Sequence, residues 1–222
     1  MDASVEYFAK RVKADPKLAS GFDAFGLSQG NNIIRGYITK YNDPPVRNFM
    51  SICGINAGVG AFPGMPGDSL VGKALTEVLG ALAYNSFSQG ILFQADYFRD
   101  PSRVAAKSYL DHSELAAWNN EGVANPAYKA NWAKTDKFIW VKGTQDTVVW
   151  PREGEWWGAM STVKGEEFKT VNTMKDTRWY KEDLFGLQTA DKAGKNNFES
   201  FVGEHIRFTE AELFGWLDKY FK

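Results

Sequence analysis

Gly26-Leu27-Ser28-Gln29-Gly30 places a serine between two glycines, each two residues away. A serine hydroxyl is a weak nucleophile until a base takes its proton, so the pentapeptide has meaning only with a histidine in reach. The chain has two, His112 and His205. In a nucleophile elbow the serine sits on a strained strand-to-helix turn, and the flanking glycines let neighbouring backbone pass without a Cβ clash. A helix beginning at Gln29 would point its N–H groups at the same place, which favours developing negative charge. The acid and the histidine of such a triad follow the serine in that order along the chain. Asp146 ends the apolar run FIWVKGTQD, and His205 follows the last strand-like run. His112 precedes those runs and reads as a surface residue. Asp136 precedes its strand, and Asp176, Asp183 and Asp191 lie among charged loop or helix residues. Elimination gives Ser28 as nucleophile, His205 as general base and Asp146 as the acid that orients it.

Cys53 is the only cysteine, so no disulfide forms within the chain. It lies in the strand-like run RNFMSICG and reads as a small buried hydrophobe. No group of His, Cys and carboxylates has metal-ligand spacing, and no glycine loop is built to cradle phosphate. Neither metal nor cofactor is expected.

The elements that must position these residues alternate. Val5, Phe8, Ala9 and Val12 recur at helical spacing over 3–14, and Asp15-Pro16 ends that helix. Gly21 to Phe25 reads as a strand, 31–42 as a helix stopped at Asp43-Pro44-Pro45, and Arg47 to Gly54 as a second strand. Helices between strands predict a mostly parallel α/β sheet. Residues 56–67 form a Gly/Pro-rich loop. Residues 69–135 read as helices and turns rich in aromatics: Tyr84, Phe87, Phe93, Tyr97, Phe98, Tyr109, Trp118, Tyr128 and Trp132. This is a helical insertion at about 57–135 in a single domain spanning 1–222. A strand returns within 136–146, a helix near Arg152, a weak strand over Glu166 to Thr173 and another over Asn197 to Gly203. The last helix starts at Thr209, with Glu212 at capping-box distance and Leu213, Trp216, Leu217 and Tyr220 on one face.

The 26 basic and 27 acidic residues leave a net charge of −1, and no basic stripe suggests nucleic acid or an anionic membrane. No apolar stretch approaches a transmembrane span, and MDASVEYFAKRVKADPK lacks the regions of a signal peptide.

Several segments together resemble the palmitoyl-protein thioesterases of the lysosome. DPKLASGFDAFGLSQGNNIIRGYI resembles that family's nucleophile segment, and PPVRNFMSICGINAGVGAFPGMPG the strand and Gly-rich loop after it. VKGTQDTVVWPREGEWWG is similar to its acid segment, and GEHIRFTEAELFGWL to its histidine segment. The resemblance implies an α/β-hydrolase fold with Ser28, Asp146 and His205 at the triad positions. It implies cleavage, without a cofactor, of the thioester between a long fatty acyl chain and a protein cysteine. Substrates would be S-acylated proteins or peptides and long-chain acyl thioesters. The location would be the lysosome or secretory pathway, and the aromatic insertion would form much of the acyl groove. Family members carry further strands and a His-Gly loop before the nucleophile, whereas 27 residues precede Ser28 here. The expectation is therefore an N-terminally truncated chain whose first strand is an open apolar edge. That loop gives one oxyanion N–H, and the other comes from Gln29. Losing one such donor costs roughly 2.7–4 kcal/mol. Two other readings stay open: a non-catalytic relative that binds lipid or protein, and a carboxylic-ester hydrolase or lipase.

Overall fold

Four short strands pair side by side in one direction. A computed structural model describes residues 1–60, 83–84 and 96–221. Its main sheet contains β1 (Phe22–Leu27), β2 (Val46–Ile52), β3 (Lys137–Gly143) and β6 (Asn196–Phe201), all parallel, in the order β1-β2-β3-β6. The register runs straight across: Ser51 pairs with Gly26 on one side and Trp140 on the other, and Trp140 pairs with Phe198.

Parallel sheets need cover on both faces, and the two-residue period of a strand sorts the side chains between them. Phe49, Phe138 and Trp140 face one layer, with Ile34, Tyr37 and Ile38 of α2 (Gly30–Lys40) and Val5 and Val12 of α1 (Asp2–Ala14). Met50, Ile52, Ile139 and Val141 face the other, with Trp216 and Tyr220 of the last helix, Glu210–Tyr220. That helix opens on the expected capping box: Thr209 Oγ1 accepts from the Glu212 amide at 3.2 Å, and Glu212 accepts from the Thr209 amide at 2.7 Å. Between β2 and β3 the described helices are α3 (Lys107–His112), α4 (Glu114–Trp118) and α5 (Pro126–Ala133). After β3 come α6 (Arg178–Lys181) and α7 (Leu187–Lys192), which makes the last helix α8. No helix among the described residues is long and apolar enough to cross a membrane.

Two expectations change. The segment from Arg152 makes only a short 3-10 turn, Arg152–Trp156. Trp157 ends it in the left-handed region, at φ +65, with its ring fully buried. The weak strand over Glu166 to Thr173 shrinks to β5, Val171–Asn172, paired antiparallel with β4, Ala159–Met160, outside the main sheet. Its polar first half instead folds into turns that bond Glu166 to Val163 and Lys169 to Glu166. Five of the described aromatics of the insertion are buried in core clusters, which leaves the expected acyl groove untested. Tyr84, Phe98 and Tyr109 pack on one another, and Trp118 and Trp132 join the main core. Phe87 and Phe93, with residues 61–82 and the rest of 85–95, lie outside the described residues.

β1 pairs with β2 alone among the described strands, and Phe25 and Leu27 stay 48% and 40% exposed. Among the described residues β1 is therefore an edge strand with two part-exposed apolar side chains.

Helices α1 and α2 approach closely at Gly36, where a Cβ would stand 2.6 Å from Val5 Cγ2 and 2.8 Å from the Trp118 ring. Gly36→Val should cost about 1–3 kcal/mol by overpacking. Urea unfolding would show this as a lower midpoint at an unchanged m-value. An unchanged midpoint would mean the helices do not meet there.

Candidate active site

Parallel strands end on one edge, so the loops after them can share a site. Ser28 follows β1, Cys53 follows β2, Asp146 follows β3 and His205 follows β6. β1 and β6 are three strand spacings apart, about 14 Å. The loop after β6 has to lead His205 back across that distance. It is strapped down on the way: the Gln145 amide donates to Gly203 O at 3.0 Å, and Glu204 accepts from the Thr147 amide and hydroxyl at 3.2 and 3.0 Å. The Ile206 amide reaches Cys53 Sγ at 3.4 Å.

The structure brings Ser28, His205 and Asp146 into one hydrogen-bonded line. His205 Nε2 lies 2.8 Å from Ser28 Oγ, and Nδ1 lies 2.6 Å from Asp146 Oδ2. With the ring proton on Nδ1, His205 donates to Asp146 and Nε2 is free to accept the serine proton. The other carboxylate oxygen of Asp146 accepts from the Val148 and Val149 amides at 2.7 and 2.9 Å. Asp146 is fully buried. Burial raises its pKa, but the hydrogen bond from His205, the Val149 amide, the His205 charge and the Val148 amide outweigh burial and hold it below the ordinary carboxylate value. The group therefore stays ionised while removed from water.

The turn at Ser28 has φ +49, a left-handed conformation that serine does not favour. Asn31, fully buried, holds it there. Its amide donates to Ser28 O at 3.1 Å, and its side-chain nitrogen donates to Ser28 O at 2.9 Å and Ile52 O at 3.0 Å. The close approach of Asn31 explains Gly26, whose Cβ would lie 2.5 Å from Asn31 Oδ1 and 3.0 Å from its backbone. Gly30 is different. Nothing lies within 4 Å of where its Cβ would be, so the steric reason expected for both glycines holds for one.

Gln29 is the N-cap of α2, beside the serine, where the first N–H groups of a helix have no intrahelical partner. His112 ends α3 on the surface, away from this edge. Cys53 is buried, and burial raises its thiol pKa, as suits a core residue. Cys53, Asp146 and His205 offer ligand atoms within 4.8 Å of one another. A neutral thiol and a histidine already bonded to Asp146 make a poor metal site.

Among the buried charged residues that the sequence reading did not single out, one lies beside the site. Glu155, in the 3-10 turn after β3, is fully buried behind Asp146 and accepts from the Gly143 amide at 3.1 Å. It lies in PREGEWW, at the start of the helix expected near Arg152, and that reading did not mark it as buried. The two tryptophans that follow it were the only sign of burial.

A family model described as palmitoyl protein thioesterase matches residues 1–205. The chain is 32% identical over 204 residues to palmitoyl-protein thioesterase 1 of Caenorhabditis elegans, covering 91% of this chain and 67% of that one. It is 34% identical over 209 residues to palmitoyl-protein thioesterase 3 of Dictyostelium discoideum, covering 92% of this chain and 68% of that one. A lysosomal thioesterase of Xenopus laevis is 30% identical over 184 residues, 79% of this chain and 59% of that one.

The two glycines of the motif give a paired test. Gly26→Ala should destabilise by about 1–3 kcal/mol, because backbone as well as a side chain must move. Gly30→Ala should change stability by less than about 0.5 kcal/mol or raise it slightly. Thermal unfolding of the two variants side by side distinguishes them. Equal losses would mean that the elbow needs both glycines.

Proposed function

The chain belongs to the palmitoyl protein thioesterase family, a family of thioester hydrolases, and from that premise we propose that it removes long fatty acyl chains from protein cysteines with Ser28, His205 and Asp146 as its triad. The observation that carries the reading is the 2.8 Å contact of Ser28 Oγ with His205 Nε2, backed by Asp146 on the other ring nitrogen.

Each step follows from that geometry. Ser28 Oγ attacks the thioester carbonyl carbon as His205 Nε2 takes its proton. Asp146 supplies the negative charge that stabilises the imidazolium. Charge gathers on the carbonyl oxygen, within reach of the Gln29 amide, which acts as an oxyanion donor. The C–S bond then breaks, and His205 returns the proton to the departing cysteine sulfur. Water enters next. His205 takes one of its protons, the hydroxide attacks the acyl-Ser28 carbonyl, and Ser28 recovers its proton as the fatty acid leaves. No cofactor takes part in this scheme.

In this reading residues 1–222 are one domain, and the segment at about 57–135 is inserted between β2 and β3 as cover for the acyl chain. That length of chain separates two neighbouring parallel strands, which ordinarily need a dozen or so residues between them. Each methylene buried there contributes about 0.8 kcal/mol, so an apolar cover would dominate substrate choice. A lysosomal location follows the lysosomal relative.

The test is thiol release from a palmitoyl-cysteine peptide by the purified chain and by Ser28→Ala and His205→Ala. Each substitution should lower kcat by about 10³ or more, and an active-site fluorophosphonate should label the parent chain but not Ser28→Ala. Release that survives in Ser28→Ala would overturn the triad. Equal rates on short oxygen esters would overturn the substrate class.

A further inference from the structure

Glu155 stands out among the buried polar groups because the mechanism above leaves it without a task. Its side chain is fully buried, and only one of its oxygens has a donor: Oε2 accepts from the Gly143 amide at 3.1 Å. Oε1 is buried and finds no donor. As a carboxylate oxygen, Oε1 would be an unpaired anion in the interior, which is costly. As a hydroxyl it would have an acceptor at hand, because the carboxylate of Asp146 faces it. We propose that Glu155 is a positioning residue for the triad: in its neutral form it donates a hydrogen bond from Oε1 to the Asp146 carboxylate and fixes the orientation in which Asp146 meets His205. The inference rests on the triad reading of Ser28, His205 and Asp146.

The surroundings agree. Burial raises the pKa of Glu155 first, and the charge of Asp146 raises it further, against the opposing pulls of the Gly143 amide and the Cys53 thiol; the balance pushes it up to about 9. The titratable groups facing it are Asp146 in the loop after β3 and Cys53 at the end of β2, with His205 beyond Asp146. Burial and the charge of Asp146 keep the Cys53 thiol neutral, and its hydrogen bond to Glu155 pulls the Glu155 pKa down by less than burial and Asp146 raise it. Every negative charge near Glu155 therefore favours its proton.

Linkage fixes the sign of the stability effect. The folded pKa lies above the ordinary value of 4.5, so the unfolded chain gains by ionising Glu155 while the folded chain does not. Below pH 4.5 there is no penalty, and between 4.5 and about 9 the penalty grows with pH. Glu155→Gln keeps a neutral donor and abolishes the titration. Its Tm advantage over the parent chain should therefore widen steadily as pH rises through that window. A constant gap would overturn the neutral state.

The second arm reads catalysis on the palmitoyl-cysteine peptide. Glu155→Leu, which has no donor, should lose about tenfold in kcat at unchanged KM, the scale of one hydrogen bond to a charged group. Glu155→Gln should restore kcat to within about threefold of the parent chain and remove any loss of activity near pH 9. In Glu155→Leu the downfield proton resonance of His205 Nδ1–H should shift or broaden, a change that a packing role alone would not produce. A fully active Glu155→Leu, or a Glu155→Gln as impaired as Glu155→Leu, would overturn the proposal. Ser28→Ala in the same assay keeps the two ideas apart. If it stays active, the triad reading fails, while the pH-dependent Tm gap of Glu155→Gln still decides the state of Glu155.

Discussion

The site depends on one backbone conformation that Ser28 would not take alone. A left-handed serine costs of order 1–2 kcal/mol, and it persists only where the surroundings impose it. Here they do so from both sides. The Ser28 amide donates to Ile52 O at 3.0 Å, which ties the turn to the end of the neighbouring strand. The Asn31 side chain bridges Ser28 O and Ile52 O, closing the same link from the helix side. The hydroxyl direction is thereby set by the β1–β2 pairing, and the position of the base is set independently by the β3–β6 pairing. The 2.8 Å contact is where those two halves of the sheet agree.

Strain elsewhere follows the same logic. Among the described residues seven non-glycine positions have positive φ. Asn42, Asn120 and Asp183 are types that tolerate it, which leaves Ser28, Cys53, Trp157 and Ile206. Three of those four lie on the edge that holds the triad. Cys53 turns the chain away after β2, and Ile206 turns it after His205, with its amide on the Cys53 sulfur. The cysteine thus serves as a compact, neutral acceptor under the histidine loop. Its role is packing and spacing, as its sequence context suggested, while the hydrogen bond from Ile206 was not legible there.

The meeting of Ser28, Asp146 and His205 was legible because scarcity narrows the choice. Two histidines, one Gly-x-Ser-x-Gly and one acid at the end of an apolar run leave few combinations. β2 and β3 were readable because each is an apolar run between breakers, whereas β6, Asn-Asn-Phe-Glu-Ser-Phe, carries a weaker signal. What escaped was whatever depends on partners distant in sequence. For the described aromatics of the insertion the choice between core and groove lining was of this kind, since a ring's neighbours decide it, and composition carries no neighbours. The polar run at Glu166 had nothing to pair with and became turns. Gly30 looked equivalent to Gly26 until Asn31 was seen to crowd only one of them.

Glu155 is the sharpest case, because its charge state is as hidden as its position. Asp146 and Glu155 are both carboxyls, both fully buried, in the same short stretch after β3. Asp146 accepts three hydrogen bonds, from two amides and His205, and those stabilise its anion. Glu155 accepts one, from Gly143, and faces the charge of Asp146. Two like charges so close cannot both persist away from water, so the better-solvated acid ionises and the other keeps its proton. The division of roles is therefore decided by the count of backbone donors that the β3 loop supplies to each. The loop after β3 orients the histidine through Asp146, and by leaving Glu155 short of donors it also keeps a neutral acid behind that aspartate.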